Sequence, residues 1–298
     1  GWEKIFLLTN AEATSKATEE LVALSPDERK PIMVTADITA DEFMEIDRIS
    51  FAQKAGTLVD REVIDIIVCD RVSCGDCEAP SDGCEKVYAI TRTSGASPGI
   101  WAELIYTLDG GLTWLEEAID SLGSNEDPDA LVCVGDYIIV ISNDSCSIHY
   151  ADKDTLGTWT EMATGFVAAH CPNAMFTLDA RHTWIVGDGG YIYFAEDPTV
   201  EVTVQDAGVT STQILRAVHF LDTQRGLVVG NVNTVLVTDN GGLTWTSKTG
   251  PAVGVALNAV AVVDDTTWFI GSAGGNLYKT TDAGLTWTNW AKAARITA

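Results

Sequence analysis

Thr107-Leu108-Asp109-Gly110-Gly111-Leu112-Thr113-Trp114 recurs as Thr238-Asp239-Asn240-Gly241-Gly242-Leu243-Thr244-Trp245, and again as Thr280-Thr281-Asp282-Ala283-Gly284-Leu285-Thr286-Trp287. A worn copy, Asp152-Lys153-Asp154-Thr155-Leu156-Gly157-Thr158-Trp159, lies between the first two. The four tryptophans are 45, 86 and 42 residues apart, and the middle gap holds two periods of about 43 residues. The period therefore calls for a further copy near Val202, where Phe194-Ala195-Glu196-Asp197-Pro198 stands in degraded form.

Other segments repeat in the same phase. Residues 173–179, 216–222 and 258–264 match one another, each closing on an aspartate (Asp179, Asp222, Asp264). Apolar runs ending at Gly187, Gly230 and Gly271 follow, and then short alternating stretches at 191–193, 235–237 and 277–278 lead into the box. Each repeat thus reads as four short strands, rich in β-branched and aromatic residues and punctuated by Gly, Asn and Asp. Four antiparallel strands at so regular a spacing form a propeller blade, because radial repetition buries each sheet against its neighbours and leaves only short edges.

The fold class is therefore all-β, a β-propeller of six or seven four-stranded blades. Five blades are readable from about residue 85 to 290, and residues 66–70 read as the strand entering the box of a sixth. The propeller is assigned to residues 61–298, with a Cys-rich loop at 69–84. Residues 1–60 form an N-terminal segment, with a strand at 4–10 that could close the ring. A helix at 14–24 stops at Ser25-Pro26, since proline disfavours helix in the residue before it.

The box is a turn with a mechanism. Gly111, Gly242 and Gly284 supply the backbone angles of a tight hairpin. Asp109, Asn240 and Asp282 accept hydrogen bonds from turn N–H groups, and Thr107, Thr238 and Thr280 add a hydroxyl. Trp114, Trp159, Trp245 and Trp287 pack between blades. Asn240 in place of Asp, and the decay around Asp154 and Asp197, fit turns kept for shape rather than chemistry.

Composition narrows the function. Forty-three acidic against 18 basic residues leave a net charge of −25, which repels a phosphate backbone and an anionic membrane surface alike. Nucleic acid is excluded as a partner. The longest apolar stretch, 131–141, is broken by Gly135 and Asp136 and is too short to span a bilayer. The chain opens on Gly1 without a charged-then-apolar leader, so a trimmed start and export stay open. Cys69, Cys74, Cys77 and Cys84 cluster. Disulfides stapling the loop are the plainest reading, with free thiols, a zinc cage and an iron–sulfur cluster as rarer ones. Cys133, Cys146 and Cys171 read as small buried hydrophobes. His149, His170, His182 and His219 fall at scattered phases, and no Ser/His/Asp spacing or phosphate-cradling loop accompanies them.

These boxes resemble the Asp-box (BNR) repeats of β-propellers. The fuller repeat across 215–222, 226–230 and 238–245 is similar to the photosystem II stability and assembly-factor type, which also occurs in bacterial and bacteriophage proteins. The resemblance covers about two thirds of the chain. It implies a basic patch across blades, whereas here Arg216 and Arg225 stand in one repeat and there is little elsewhere. Sialidases share the box and would bring three convergent arginines and an Arg-Ile-Pro. Arg48-Ile49-Ser50 and Arg295-Ile296-Thr297 lack the proline, and the nine arginines do not recur at one blade position.

The boxes lie at one end of the blades, so the inter-blade linkers and the remaining turns share the other. That end gathers Asp120, Glu126, Asp127, Asp129, Asp144 and Asp188, with Asn143, Asn231 and Asn233, an acidic rim suited to Ca²⁺ or a basic partner. No catalytic residue and no resident cofactor are expected. The leading expectation is a non-enzymatic binding or structural propeller in a larger protein assembly, a bacteriophage virion component or an exported bacterial protein, in an extracellular or virion setting. An assembly factor of the photosystem kind is the first alternative and a sialidase-like hydrolase the second, with a glycan as a further candidate ligand.

Overall fold

The computed structural model describes residues 45–46, 49–50, 61–69, 86–93, 102–108, 113–123, 126–162, 166–167, 170–251 and 254–289. The two short strands β1 (Glu45–Ile46) and β2 (Ile49–Ser50) pair as a small hairpin. Five antiparallel sheets follow, each of four strands that pair in chain order. The first is β3 (Arg61–Cys69), β4 (Lys86–Thr93), β5 (Ala102–Thr107) and β6 (Leu115–Ala118). The second is β7 (Ala130–Val134), β8 (Tyr137–Ser142), β9 (Ser147–Asp152) and β10 (Thr160–Met162). The third is β11 (Pro172–Asp179), β12 (His182–Gly187), β13 (Tyr191–Asp197) and β14 (Glu201–Ala207). The fourth is β15 (Leu215–Phe220), β16 (Gly226–Gly230), β17 (Thr234–Thr238) and β18 (Thr246–Thr249). The fifth is β19 (Leu257–Val262), β20 (Trp268–Ser272), β21 (Leu277–Thr280) and β22 (Thr288–Asn289).

The architecture is a β-propeller of four-stranded blades, five of them within the described residues. The chain falls into two compact units, Gly1–Ala118 and Ile119–Ala298, the first holding one blade and the second four. The N-terminal strand and helix expected at 4–10 and 14–24 lie outside the described residues, as do Cys74, Cys77, Cys84, Asp109 and Gly111. Two expectations need correction. Residues 66–69 belong to the first described blade and not to a sixth: β3 pairs along β4 from Arg61↔Thr93 to Cys69↔Lys86 and is the first strand of that sheet. An apolar strand reads the same in either position. The phase of the fifth repeat is also shifted by one, because Ser272 lies opposite Leu257 where Gly187 and Gly230 lie opposite Pro172 and Leu215.

Within the second unit the blades are held together by side chains from facing sheets. Between the third and fourth blades Trp184, Val186 and Ile192 meet Leu215, Val218, Phe220, Val228, Leu236 and Trp245. Trp184 stacks on Phe220 with ring centroids 3.5 Å apart, and Phe220 meets Trp245 edge-on at 5.9 Å. Gly226 is required by this packing, since a Cβ there would sit 2.5 Å from the Phe220 ring. Between the fourth and fifth blades Leu227, Val229 and Val235 meet Leu257, Trp268 and Ile270. Burying each such side chain stabilises the fold by about 1.5–3 kcal/mol relative to exposure.

The box turns are pinned as their composition requires. In the fourth blade Asn240 Oδ1 accepts from the Thr244 N–H at 3.0 Å and from the Thr238 hydroxyl at 3.0 Å, and the Gly242 N–H donates to Thr238 Oγ1 at 2.9 Å. In the fifth, Asp282 Oδ1 accepts from the Thr286 N–H at 2.8 Å and the Thr280 hydroxyl at 2.7 Å. The hydroxyl and N–H of Thr286 hold the Asp282 carboxyl down at about 2. In the worn copy the turn N–H groups of Asp154 and Thr155 bond to Asp152, each at 2.9 Å, so the capping carboxylate is Asp152. Asp197 accepts from the Thr199 N–H at 2.9 Å. Trp159 and Trp245 are buried, and Trp287 donates its indole N–H to the Thr249 carbonyl at 3.1 Å.

Candidate functional site

At the end of the blades away from the boxes, the turn between second and third strands is stitched to the entry of the first strand. Asp188 N–H donates to the Cys171 carbonyl at 3.0 Å, Asn231 N–H to Ile214 at 2.8 Å, and Ala273 N–H to Ala256 at 2.9 Å. A β-bulge opens β11, β15 and β19, setting Asn173, Arg216 and Asn258 at equivalent positions beside these turns. Bulges re-aim a side chain out of the ladder. The result is a polar rim that the sequence placed only in part.

Asn143 donates to the Pro172 carbonyl at 3.2 Å and to Asn173 Oδ1 at 3.1 Å, and reaches Asp188 Oδ2 at 3.4 Å. Asn173 donates to Asp188 Oδ1 at 2.9 Å, and the Asn143 N–H donates to Asp129 Oδ2 at 2.6 Å. Asp129, Asn143 and Asp188 from the expected rim are thereby joined, with Asn173 as the member that sequence reasoning missed. Asp144 accepts the Asp127 N–H at 3.0 Å, and Glu126 folds back onto the Gly123 N–H at 2.7 Å. Asp120 is exposed. One blade on, Arg216 Nε donates to Asn231 Oδ1 at 2.5 Å. Val232 follows at φ +55°, a left-handed conformation unusual for a β-branched residue, and it is 61% exposed. The equivalent turn in the third blade has glycine there, Gly189 at φ +66°.

The rim is fastened covalently. Cys146, in the turn after β8, forms a disulfide with Cys171, just before β11, across 25 residues of chain. Cys69 and Cys133 each take part in a disulfide as well. The scattered cysteines are therefore not simply small hydrophobes: Cys146 and Cys171 sit in neighbouring blades, and only the packing of the blades brings them together. Beneath the turn, fully buried His149 bonds through Nε2 to the Ser147 hydroxyl at 2.7 Å and through Nδ1 to Ser121 at 2.9 Å. Burial lowers the His149 imidazole to about 4, against an opposing pull from Glu126. It is a neutral, satisfied core histidine that ties the 119–129 linker to the blade.

As a chemical device the rim offers amide and carboxylate hydrogen bonds and one exposed guanidinium. Among the described residues no three His, Cys, Asp or Glu side chains are grouped to hold a metal ion. No described helix is long and apolar enough to cross a membrane.

Residues 201–296 match the family model of the photosynthesis system II assembly factor YCF48. The repeats are BNR-type propeller repeats resembling those of photosystem II assembly factors. No curated protein sequence matches the chain. Among solved structures, YCF48 from Cyanidioschyzon merolae is 20% identical with a TM-score of 0.50, over 65% of this chain and 63% of that one. The chain thus spans just under two thirds of that relative. The WD40 propeller domain of Doa1 is 13% identical with a TM-score of 0.53, over 78% of this chain and 69% of that one. The GH74 xyloglucanase from Xanthomonas campestris is 14% identical with a TM-score of 0.51, over 68% of this chain and 36% of that one. At these identities the structural likeness shows the propeller fold alone.

Proposed function

We propose that this chain is a non-catalytic, protein-binding propeller of the assembly-factor kind, with the rim around Asn143, Asn173, Asp188, Arg216 and Asn231 as its contact face. The observation that carries the reading is the match of residues 201–296 to the YCF48 assembly-factor model. It favours this alternative over the virion component expected first, for which the comparisons offer no support. The net charge of −25 and a rim in which Arg216 is the one arginine or lysine among the described residues named above suit a partner surface that is itself basic. The Cys146–Cys171 bond supports an oxidising compartment.

Cross-linking of the tagged chain in its native complexes, with mass spectrometry of the linked peptides, tests the reading. Links should join one protein partner to segments 143–146, 170–173 and 231–233, and an Asn173→Arg, Asp188→Arg variant should lose them while remaining folded. Links confined to the box turns, or glycoside hydrolysis by the purified chain, would overturn it.

A further inference from the structure

The junction between the fourth and fifth blades is packed differently from the one before it. Strand register equates Trp184 and Phe194 with Leu227 and Val237 on one wall, and Phe220 with Val262 on the facing wall. At the earlier junction the three rings fill the space, with Trp184 3.5 Å from Phe220 and 5.6 Å from Phe194, centroid to centroid. At the later one all three are aliphatic. Trp268 stands in the place of Gly226 and packs in the cluster of Leu227, with Trp287 6.4 Å away, centroid to centroid. A cleft of about 330 Å³ remains, its apolar walls formed by Leu221, Leu227, Val237, Val262 and Trp268.

Charges at the cleft are mostly committed. Arg225 is held by Asp222 and Asp265, and Asp264 accepts the N–H groups of Thr266 and Thr267 at 2.8 Å each. Asp239 lies exposed at the outer edge. Lys248 lines the cleft and has no ion-pair partner among the described residues. We propose that this cleft binds a small aromatic carboxylate. The ring lies against Val237 and Val262, where Phe194 and Phe220 supply rings one blade earlier, and the carboxylate meets Lys248. The volume suits one such ligand, near the lower end of small-molecule sites. This site is at the box end of the blades and does not rest on the contact-face reading.

The test titrates the protein with indole-3-acetate and, as the uncharged arm, indole, following the methyl and indole resonances of Leu227, Val237 and Trp268 by NMR. Both probes should give saturable shifts confined to the cleft. Lys248→Met should weaken indole-3-acetate about tenfold or more, the share of a charge-assisted hydrogen bond, and leave indole unchanged. Val237→Phe, which restores the residue type of the previous blade, should abolish binding of both probes without lowering the thermal midpoint. Val262→Phe serves the same end if the first variant does not fold. Absence of a saturable shift, binding that survives the filled cleft, or equal weakening of both probes in Lys248→Met would overturn the proposal.

Discussion

Acidification from neutral pH should weaken this fold well before its carboxylates protonate, and His149 is the reason. The imidazole is fully buried and lowered from 6.5 to about 4 by loss of solvent. In the unfolded chain the same histidine takes up a proton near its ordinary value. Between those two pH values the unfolded state therefore binds more protons, and stability falls as pH falls. The contribution is complete above about pH 6.5, declines through the window, and levels off below about 4. At about 1.36 kcal/mol per pH unit the whole displacement is worth roughly 3 kcal/mol, a large share of a marginal folding free energy. Burial lowers His219 as well and adds to the loss with the same sign. The assay is urea denaturation at steps between pH 7.5 and 4, with the wild type beside His149→Gln. The variant keeps an amide to bond Ser147 or Ser121 but cannot titrate, so most of the slope should vanish. An unchanged slope in the variant would refute the reasoning.

Other perturbations follow from the same geometry. Gly226→Ala places a methyl against the Phe220 ring and should destabilise by about 1–3 kcal/mol, the range for overpacking, read as a lower denaturant midpoint with an unchanged m-value. Replacing Cys146 and Cys171 together by alanine opens a loop closed across 25 residues and should lower stability by about 3 kcal/mol, unless reducing agent has already removed the difference. A second acid loss should appear below pH 4, because Asp222, held by Arg225, and Asp264 and Asp282, held mainly by turn donors, all sit at about 2. Their contributions are present above the ordinary aspartate value and disappear as pH falls through about 2, so Asp264→Asn should shallow that limb of the curve.

Much of this molecule could be read before any coordinates. The spacing of Trp114, Trp159, Trp245 and Trp287 led to a blade period and to a worn copy at Asp197, and β13 and β14 pair around that turn. The function of Asn240 and Asp282 as turn acceptors was equally legible, because the bonds run within eight residues of chain. Strand position within a blade was less so. Residues 66–69 look alike as a first or a third strand, and the one-residue shift at Ser272 is invisible until a partner strand supplies the register.

The polar rim was half visible. Asp129 and Asp188 could be placed at the correct blade end from topology, but Asn173 enters only through a bulge, which a strand pattern does not announce. The same holds for Cys146 with Cys171, for His149 with Ser121, and for the cleft where Leu227, Val237 and Val262 stand in for aromatic rings. The repeated box by itself determined that this chain builds propeller blades and where its turns lie, since those depend on local backbone angles and short-range hydrogen bonds. Which side chains meet across blades was decided by tertiary structure alone. Such contacts depend on register and on the volumes left between facing sheets, and neither is written in any one stretch of sequence.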